Sequence, residues 1–360
     1  VSDPRQIVHD PEGWNSGPPP ALLAEGFTTP TPLFFTRSHA PVPRVDPDGW
    51  RLKVHGLVER SLELGLLQLG RDFARHEVSA TLACAGLRRS ELLSVRPIPN
   101  ELLWGPEALS TGTWAGISLG EVLRAARPQP GAAWVEFIGG DEVTRGDQRF
   151  GFGGSIPFSK ALSQEVLLAF ELNGAPLPPE HGYPLRAVVP GYFGARSVKW
   201  LTEIVLRPEP SANYFQTRAY RVQPEPDPAD PRDVSAGSAL GELLLNSAIL
   251  SPGPDERVAS GGVTARGWAI GPAGTAVSRV EVSFDGGESW RGAELLGAPV
   301  PWCWRLWQAR ADLRPGTHTL VVRAFDQSGR GQPPGLETVW NVKGYANNAW
   351  HRVPIRVGEG

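Results

Sequence analysis

Four prolines fall within Val222-Gln-Pro-Glu-Pro-Asp-Pro-Ala-Asp-Pro231, a stretch in which apolar residues nearly vanish. Each proline fixes its own φ and removes a backbone donor, so neither a helix nor a central strand runs through it. A chain of 360 residues is also longer than one ordinary domain. The boundary is therefore placed here, giving residues 1–222 and 223–360 as two domains.

The two sides carry different patterns. Beyond the boundary, 260–269, 278–285, 302–309 and 317–325 alternate in the manner of strands, with Asp285-Gly286-Gly287 as a hairpin turn. That spacing predicts an immunoglobulin-like β-sandwich of roughly seven short strands. Before the boundary the pattern is α+β. Residues 1–32 read as an extended arm with one helical turn near Pro19–Glu25, and 51–56 alternates like a strand. Residues 61–75 have helix-like spacing and lead into a strand that ends at Cys84. Ser118 with Glu121 three residues on forms a capping box and predicts a short helix. Strands are predicted at 134–138 and at 166–172, the latter followed by the tight turn Asn173-Gly174.

Composition narrows the functional classes. With 42 Gly, 36 Pro and 13 Trp the chain favours strands and turns over long helices, and a net charge of -3 makes no case for nucleic acid. The sequence has no apolar run of 18 residues, so no membrane span is expected, and it has neither a dinucleotide nor a P-loop glycine signature. A first residue other than Met suits a processed product. A soluble protein is expected, with the compartment, cytoplasmic or periplasmic, left open.

Only two cysteines occur, Cys84 and Cys303, and both are expected to be unpaired. Cys303 sits between Trp302 and Trp304, a setting for a small core residue. Cys84 lies in Thr81-Leu-Ala-Cys-Ala-Gly-Leu-Arg-Arg-Ser-Glu91, beside Gly86 and two arginines. On residue types alone that is either a buried cysteine near a solvated arginine pair or a site. In a site, the thiolate is a soft metal donor, the guanidiniums hold an anion, and the glycine admits close approach.

Cys84-Ala-Gly-Leu-Arg-Arg89 resembles the ligand motif Cys-Ala-Gly-Asn-Arg-Arg of the sulfite oxidase family of molybdenum enzymes. Phe34–Pro43, His181–Gly191, Gly194–Leu201 and Asn348–Arg352 resemble the same family in the same order, so the likeness covers nearly the whole chain. The resemblance implies a mixed molybdopterin-binding catalytic domain over 1–222 and an immunoglobulin-like dimerisation domain over 223–360, in a homodimer. It implies molybdenum and molybdopterin as cofactors, with Cys84 as the metal ligand. By the same likeness, Phe35, Arg37, His39, Asp141, His181, Arg186, Ser197 and Lys199 bind the cofactor. Arg37 and Arg89 then hold a small anionic substrate, and Tyr220 assists proton movement.

The reaction so implied is oxygen-atom transfer, with sulfite as the first substrate. Another sulfur or nitrogen oxo compound, or a non-catalytic cofactor-binding module, is the alternative. Without a haem segment in this chain, electrons would pass to an external acceptor such as a cytochrome or oxygen. The sequence departs from the family pattern at Leu87, Pro99, Ala219 and Val300, the last where a third substrate arginine is expected. Arg305, Arg218 and Arg88 are the candidates to replace it. The tryptophans at 302, 304 and 307 are read as surface covered in a dimer.

Overall fold

The computed structural model describes residues 3–12, 14–272 and 275–358. Two five-stranded sheets organise the first half. One has the order 153–157, 134–139, 201–207, 52–56 and 62–64, with 201–207 parallel to 52–56 and the other pairs antiparallel. Alternation explains the inner strands: Leu52 and Val54 are buried while Lys53 faces out. In the second sheet Arg75–Ala83 pairs along its whole length with Leu109–Ser118, which pairs in turn with Leu167–Leu172. Asn173 and Gly174 both have positive φ, as a two-residue hairpin turn requires, and the chain returns as Ala175–Pro176.

Two local expectations need correction. The helix expected over 61–75 spans only Leu66–Asp72, because Leu62–Leu64 pairs with Leu52–Val54 as a strand and Arg75 already belongs to the next one. A three-residue strand paired to a core neighbour overrides helical spacing. The helix after Ser118 exists, Leu119–Ala126, and buries Leu119, Val122, Leu123 and Ala126 at helical spacing. Its capping box does not form. Ser118 makes no side-chain cap, since it ends a strand paired to Leu167, and Glu121 meets His76 Nε2 at 3.2 Å.

The second half is a sandwich of nine strands, two more than predicted, the surplus coming from two-residue edge pieces. Four strands form one sheet, centred on Gly261–Ile270 and Arg305–Leu313, and five form the other, centred on Gly316–Asp326 and His351–Gly358. Trp304 and Trp307 are fully buried within one chain, so they are core and not a dimer surface. Trp304 Nε1 donates to the Phe27 carbonyl at 3.0 Å and Trp268 Nε1 to the Pro106 carbonyl at 3.1 Å. One apolar cluster accordingly crosses the proline-rich boundary, joining Leu82, Cys84 and Trp104 to Leu250, Trp268 and Trp304.

Arg88 is part of the same join. It is fully buried, donates to Asn246, Ser247 and Ala349, and forms a two-point pair with Glu91. A fixed guanidinium fork satisfied on every side is structural glue, not a spare substrate ligand. Arg218 pairs with Asp233 at 3.6 Å, and Arg305 lies on a second cleft with Val300 and Cys303. None of the three lines the cleft beside Cys84. Among the described residues no helix is long and apolar enough to cross a membrane.

Candidate active site

A cleft of about 710 Å³ opens where the second sheet's Cys84 end meets the 34–39 loop, the 181–200 segment and Tyr220. Phe35, Arg37, His39, Cys84, Asp141, His181, Arg186, Ser197, Lys199 and Tyr220 all line it. Six separate stretches of sequence thus converge on one space.

Cys84 is placed by rigid backbone. It follows the last residue of Arg75–Ala83 directly, its N–H donates to Ala108 O at 2.9 Å, and its carbonyl accepts from Leu87 N at 3.1 Å. The thiol is unpaired, 6% exposed, and 3.4 Å from the Gly86 N–H. Among the described residues no group of three or more His, Cys, Asp or Glu could hold a metal ion. A metal at Cys84 therefore needs its other donors from a bound organic group, which suits a soft thiolate beside a large cleft. Cys303 differs: burial pushes its thiol up to about 12, so it stays protonated and inert.

Away from the thiol, the inner end of the cleft is cationic. Arg186 donates to the carbonyls of His181 at 2.8 Å and Ser197 at 3.0 Å and lies over the Trp114 ring. Burial brings it down to about 9. Lys199 donates to Ser38 Oγ at 2.7 Å and to Glu180 O at 2.9 Å, and burial, helped by Arg186, holds it well below its usual value. Burial also drives His181 well down, with Lys199 adding to it, so this histidine is neutral. Among the described residues no carboxylate pairs with Arg186, Lys199 or Arg37 within 4 Å. Asp141 is held by the Phe152 N–H at 2.9 Å, while burial raises its pKa. Buried cations whose hydrogen bonds go to neutral acceptors, with the charges of Asp141 and Glu180 also felt at Lys199, form a donor set for an anion such as a phosphate.

Nearer Cys84, three polar groups run in a chain. Arg37 donates through Nη1 to Asn15 Oδ1 at 3.0 Å and through Nη2 to His39 Nδ1 at 3.2 Å. Burial, with Arg37 and Arg145 adding, keeps His39 well below its usual pKa and so neutral. Because Nδ1 accepts, the proton sits on Nε2, which donates to Tyr220 Oη at 2.7 Å. The tyrosine proton remains free to point into the cleft. Burial raises Tyr220 to about 12 even though Arg37 pulls it down.

Arg89 stands one layer behind the cleft wall. Its guanidinium is 3% exposed, donates to Lys343 O and Leu102 O at 2.8 Å each, and lies 3.6 Å from Glu101. A Cβ at Gly86 would lie 2.7 Å from its Cζ, and one at Gly344 2.8 Å from its Cγ. Glycine is needed at both. Four neighbours escaped the sequence reading. Tyr345 stacks on Tyr220 at 5.3 Å, Lys343 pairs with Glu101 at 3.2 Å, and Arg145 reaches His39 Nδ1 at 3.5 Å. Only Asn348–Arg352, just beyond Tyr345, carried a signal that the C-terminal half reaches the site.

The chain is similar to known proteins over nearly its whole length. Residues 39–215 match the family described as oxidoreductase molybdopterin binding domain, and 238–358 the Mo-co oxidoreductase dimerisation domain. The chain is 42% identical over 355 residues to sulfite oxidase from Gallus gallus, spanning 96% of this chain and 76% of that protein. It is 37% identical over 367 residues to NAD(P)H nitrate reductase from Hordeum vulgare, spanning 96% of this chain and 41% of that one. Among solved structures, the sulfane dehydrogenase SoxCD from Paracoccus pantotrophus superposes with a TM-score of 0.81 at 26% identity, over 99% of this chain and 86% of that one.

Proposed function

Because the chain belongs to the sulfite oxidase family of molybdopterin-dependent oxidoreductases, we propose that it oxidises sulfite to sulfate and passes two electrons to an external acceptor. The observation that carries this reading is one soft donor, Cys84, facing a cleft whose inner end offers the buried cations Arg186 and Lys199 and whose Cys84 side offers Arg37 and Tyr220. The residues fit the cofactor. Cys84 would ligate the metal; Arg186, Lys199, His181, Ser197, Asp141, Phe35 and His39 would hold the pterin and its phosphate. When bound, the molybdenum cofactor supplies the transferable oxygen atom and takes up two electrons.

The rest is done by this chain's own groups. Sulfite plus water becomes sulfate with the release of two protons and two electrons, so the site must bind an oxyanion and let protons leave. Arg37 binds the oxyanion, since a planar guanidinium presents parallel donors to it. Asn15 and His39 fix that guanidinium's plane. His39 Nε2–H orients the Tyr220 oxygen and leaves its O–H as a donor toward the reacting oxygen. Phe152 and Phe215, stacked around His39 at 5.3 and 4.4 Å, exclude water from this chain of hydrogen bonds. Arg89, one layer back, contributes charge to the Cys84 side.

Purified protein should contain molybdenum and pterin in equal amounts and reduce ferricyanide with sulfite. A loaded protein that does not turn over sulfite but reduces nitrate with a viologen donor supports the nitrogen-oxo alternative, and one inert to both leaves another sulfur oxo substrate or a non-catalytic binding module. The relationship to a nitrate reductase makes the second assay necessary. We also propose that residues 238–358 join two chains, by the family they match. Light scattering should give twice the 38.9 kDa chain mass on dilution, and a constant single-chain mass refutes the dimer.

A further inference from the structure

We propose that the open cleft around Arg305 is a second ligand site, built for a small apolar molecule that carries a carboxylate. No residue that lines it also lines the cleft beside Cys84, so the inference stands apart from the reaction proposed above.

This second cleft measures about 1030 Å³ and opens between Gly191 of the first half and the 299–303 segment of the sandwich. Leu243, Ile270, Val277, Val300 and Trp302 supply most of its apolar lining. An apolar wall with few polar groups is what a small-molecule site presents. The wall is held before any ligand arrives. Trp302 O accepts from Thr81 N at 3.0 Å, and Lys160 Nζ lies 4.4 Å over the Trp302 ring while pairing with Glu165 at 2.6 Å. Leu243 N in turn donates to Gly191 O at 2.8 Å. A wall already ordered spares a ligand the entropic cost of ordering it.

Among the described residues that line this cleft, Arg305 alone is charged. Its Nη2 is anchored by Gly297 O at 2.9 Å, its buried Nε has no acceptor, and among the described residues no carboxylate comes within 4 Å of it. Burial lowers its pKa, as it does for a cation that has lost water and gained no counter-charge. Other arginines of the same sandwich are treated differently. Arg279 and Arg323 share Glu281, and Arg330 pairs with Asp326. A guanidinium anchored on one side and unmatched on the rest is a receptor for a carboxylate, which takes parallel N–H donors from its planar fork. Apart from Arg305, only Thr275, Gln327 and the Cys303 thiol bring polar side-chain groups to the lining, so the body of the ligand is apolar.

Phenylacetate and its neutral isostere phenylacetamide share a ring and differ in charge, so together they test both parts of the proposal. Ligand-observed NMR titration of the holoenzyme should show phenylacetate binding with Kd on the order of 1 mM, as expected of about ten heavy atoms, and phenylacetamide binding about 10-fold more weakly. Arg305→Gln should weaken phenylacetate about 10-fold and abolish the preference. Arg37→Gln, in the catalytic cleft, should leave both affinities unchanged. Val300→Trp fills the second cleft and should weaken both ligands about 10-fold or more, and it serves if Arg305→Gln does not fold. The proposal is overturned if phenylacetate does not bind, if its advantage survives Arg305→Gln or disappears in Arg37→Gln, or if Val300→Trp leaves both affinities as they were.

Discussion

The two ends of the cleft hold similar numbers of cations and treat them differently. At the inner end Arg186 and Lys199 meet only carbonyl and hydroxyl oxygens, and burial lowers both pKa values. On the Cys84 side Arg89 and Lys343 share Glu101. The lesson is that a buried cation's partners, and not its presence, indicate the charge of the ligand it is built for.

Cys84 marks the second of these ends, and its replacement should have the largest effect. Cys84→Ser exchanges a soft, easily ionised donor for a hard hydroxyl and should abolish sulfite oxidation while the protein still folds. Turnover at near wild-type rate in that variant would remove Cys84 as the ligand. Cys303→Ser, at a thiol kept protonated by burial, should leave the rate nearly unchanged.

Lys199→Met sharpens the contrast from the inner end. It deletes a charge-assisted contact of about 1.5 to 3 kcal/mol to the bound anion, so pterin retention should fall by roughly 10- to 150-fold. The cofactor-free protein should lose little stability, because the desolvation cost of the buried ammonium offsets its hydrogen bonds to Ser38 and the Glu180 carbonyl. A large drop in the melting temperature of the cofactor-free variant, with retention intact, would place Lys199 in the scaffold. Arg37→Gln belongs to the Cys84 side and should reduce kcat/KM by about 10-fold or more at nearly unchanged stability. Equal kcat/KM for sulfite in variant and wild type would turn Arg37 away from substrate.

The smallest effect concerns His351, well away from both ends. Burial holds it down to about 4, against a reference value of 6.5, while its Nδ1 accepts from Ile249 N at 2.9 Å. Below about pH 6.5 the unfolded chain takes up a proton that the folded chain refuses until about pH 4, so stability falls as pH falls across that window. The slope approaches 1.4 kcal/mol per pH unit for one such group. Denaturant midpoints of His351→Gln should show a shallower acid loss over the same window, after the constant cost of the lost hydrogen bond. An identical slope in the two proteins would mean that His351 titrates normally when folded.

Much of this could be read from sequence because rare residue types recur in fixed local blocks. Phe35, Arg37 and His39 lie within five residues, as do Ser197 and Lys199, and the structure brings both groups to one cleft. Strand alternation likewise located 52–56 and the long sandwich strands. What failed depended on direction. Arg88 and Arg89 are adjacent, yet Arg88 takes φ 62 and turns its side chain into the join with Asn246 and Ala349. Local spacing does not encode such a reversal. Glu101 belongs to no sequence motif, and its pairing with Lys343, remote in sequence, appears only in the folded chain. The tryptophans at 304 and 307 were misread because a core shared between two domains resembles an interface in composition.

That shared construction dictates when the site can exist during synthesis. Asn15 fixes Arg37 from near one end of the chain, while Tyr345 stacks on Tyr220 and the Ala346 N–H bonds Ala85 O at 2.8 Å from near the other. The cleft wall beside Cys84 is incomplete until residues around 345 have left the ribosome and folded back. A nascent chain can form its early strands before the packing behind Tyr220 and Ala85 is complete, so a chain truncated before Lys343 should hold the cofactor less well than the whole chain.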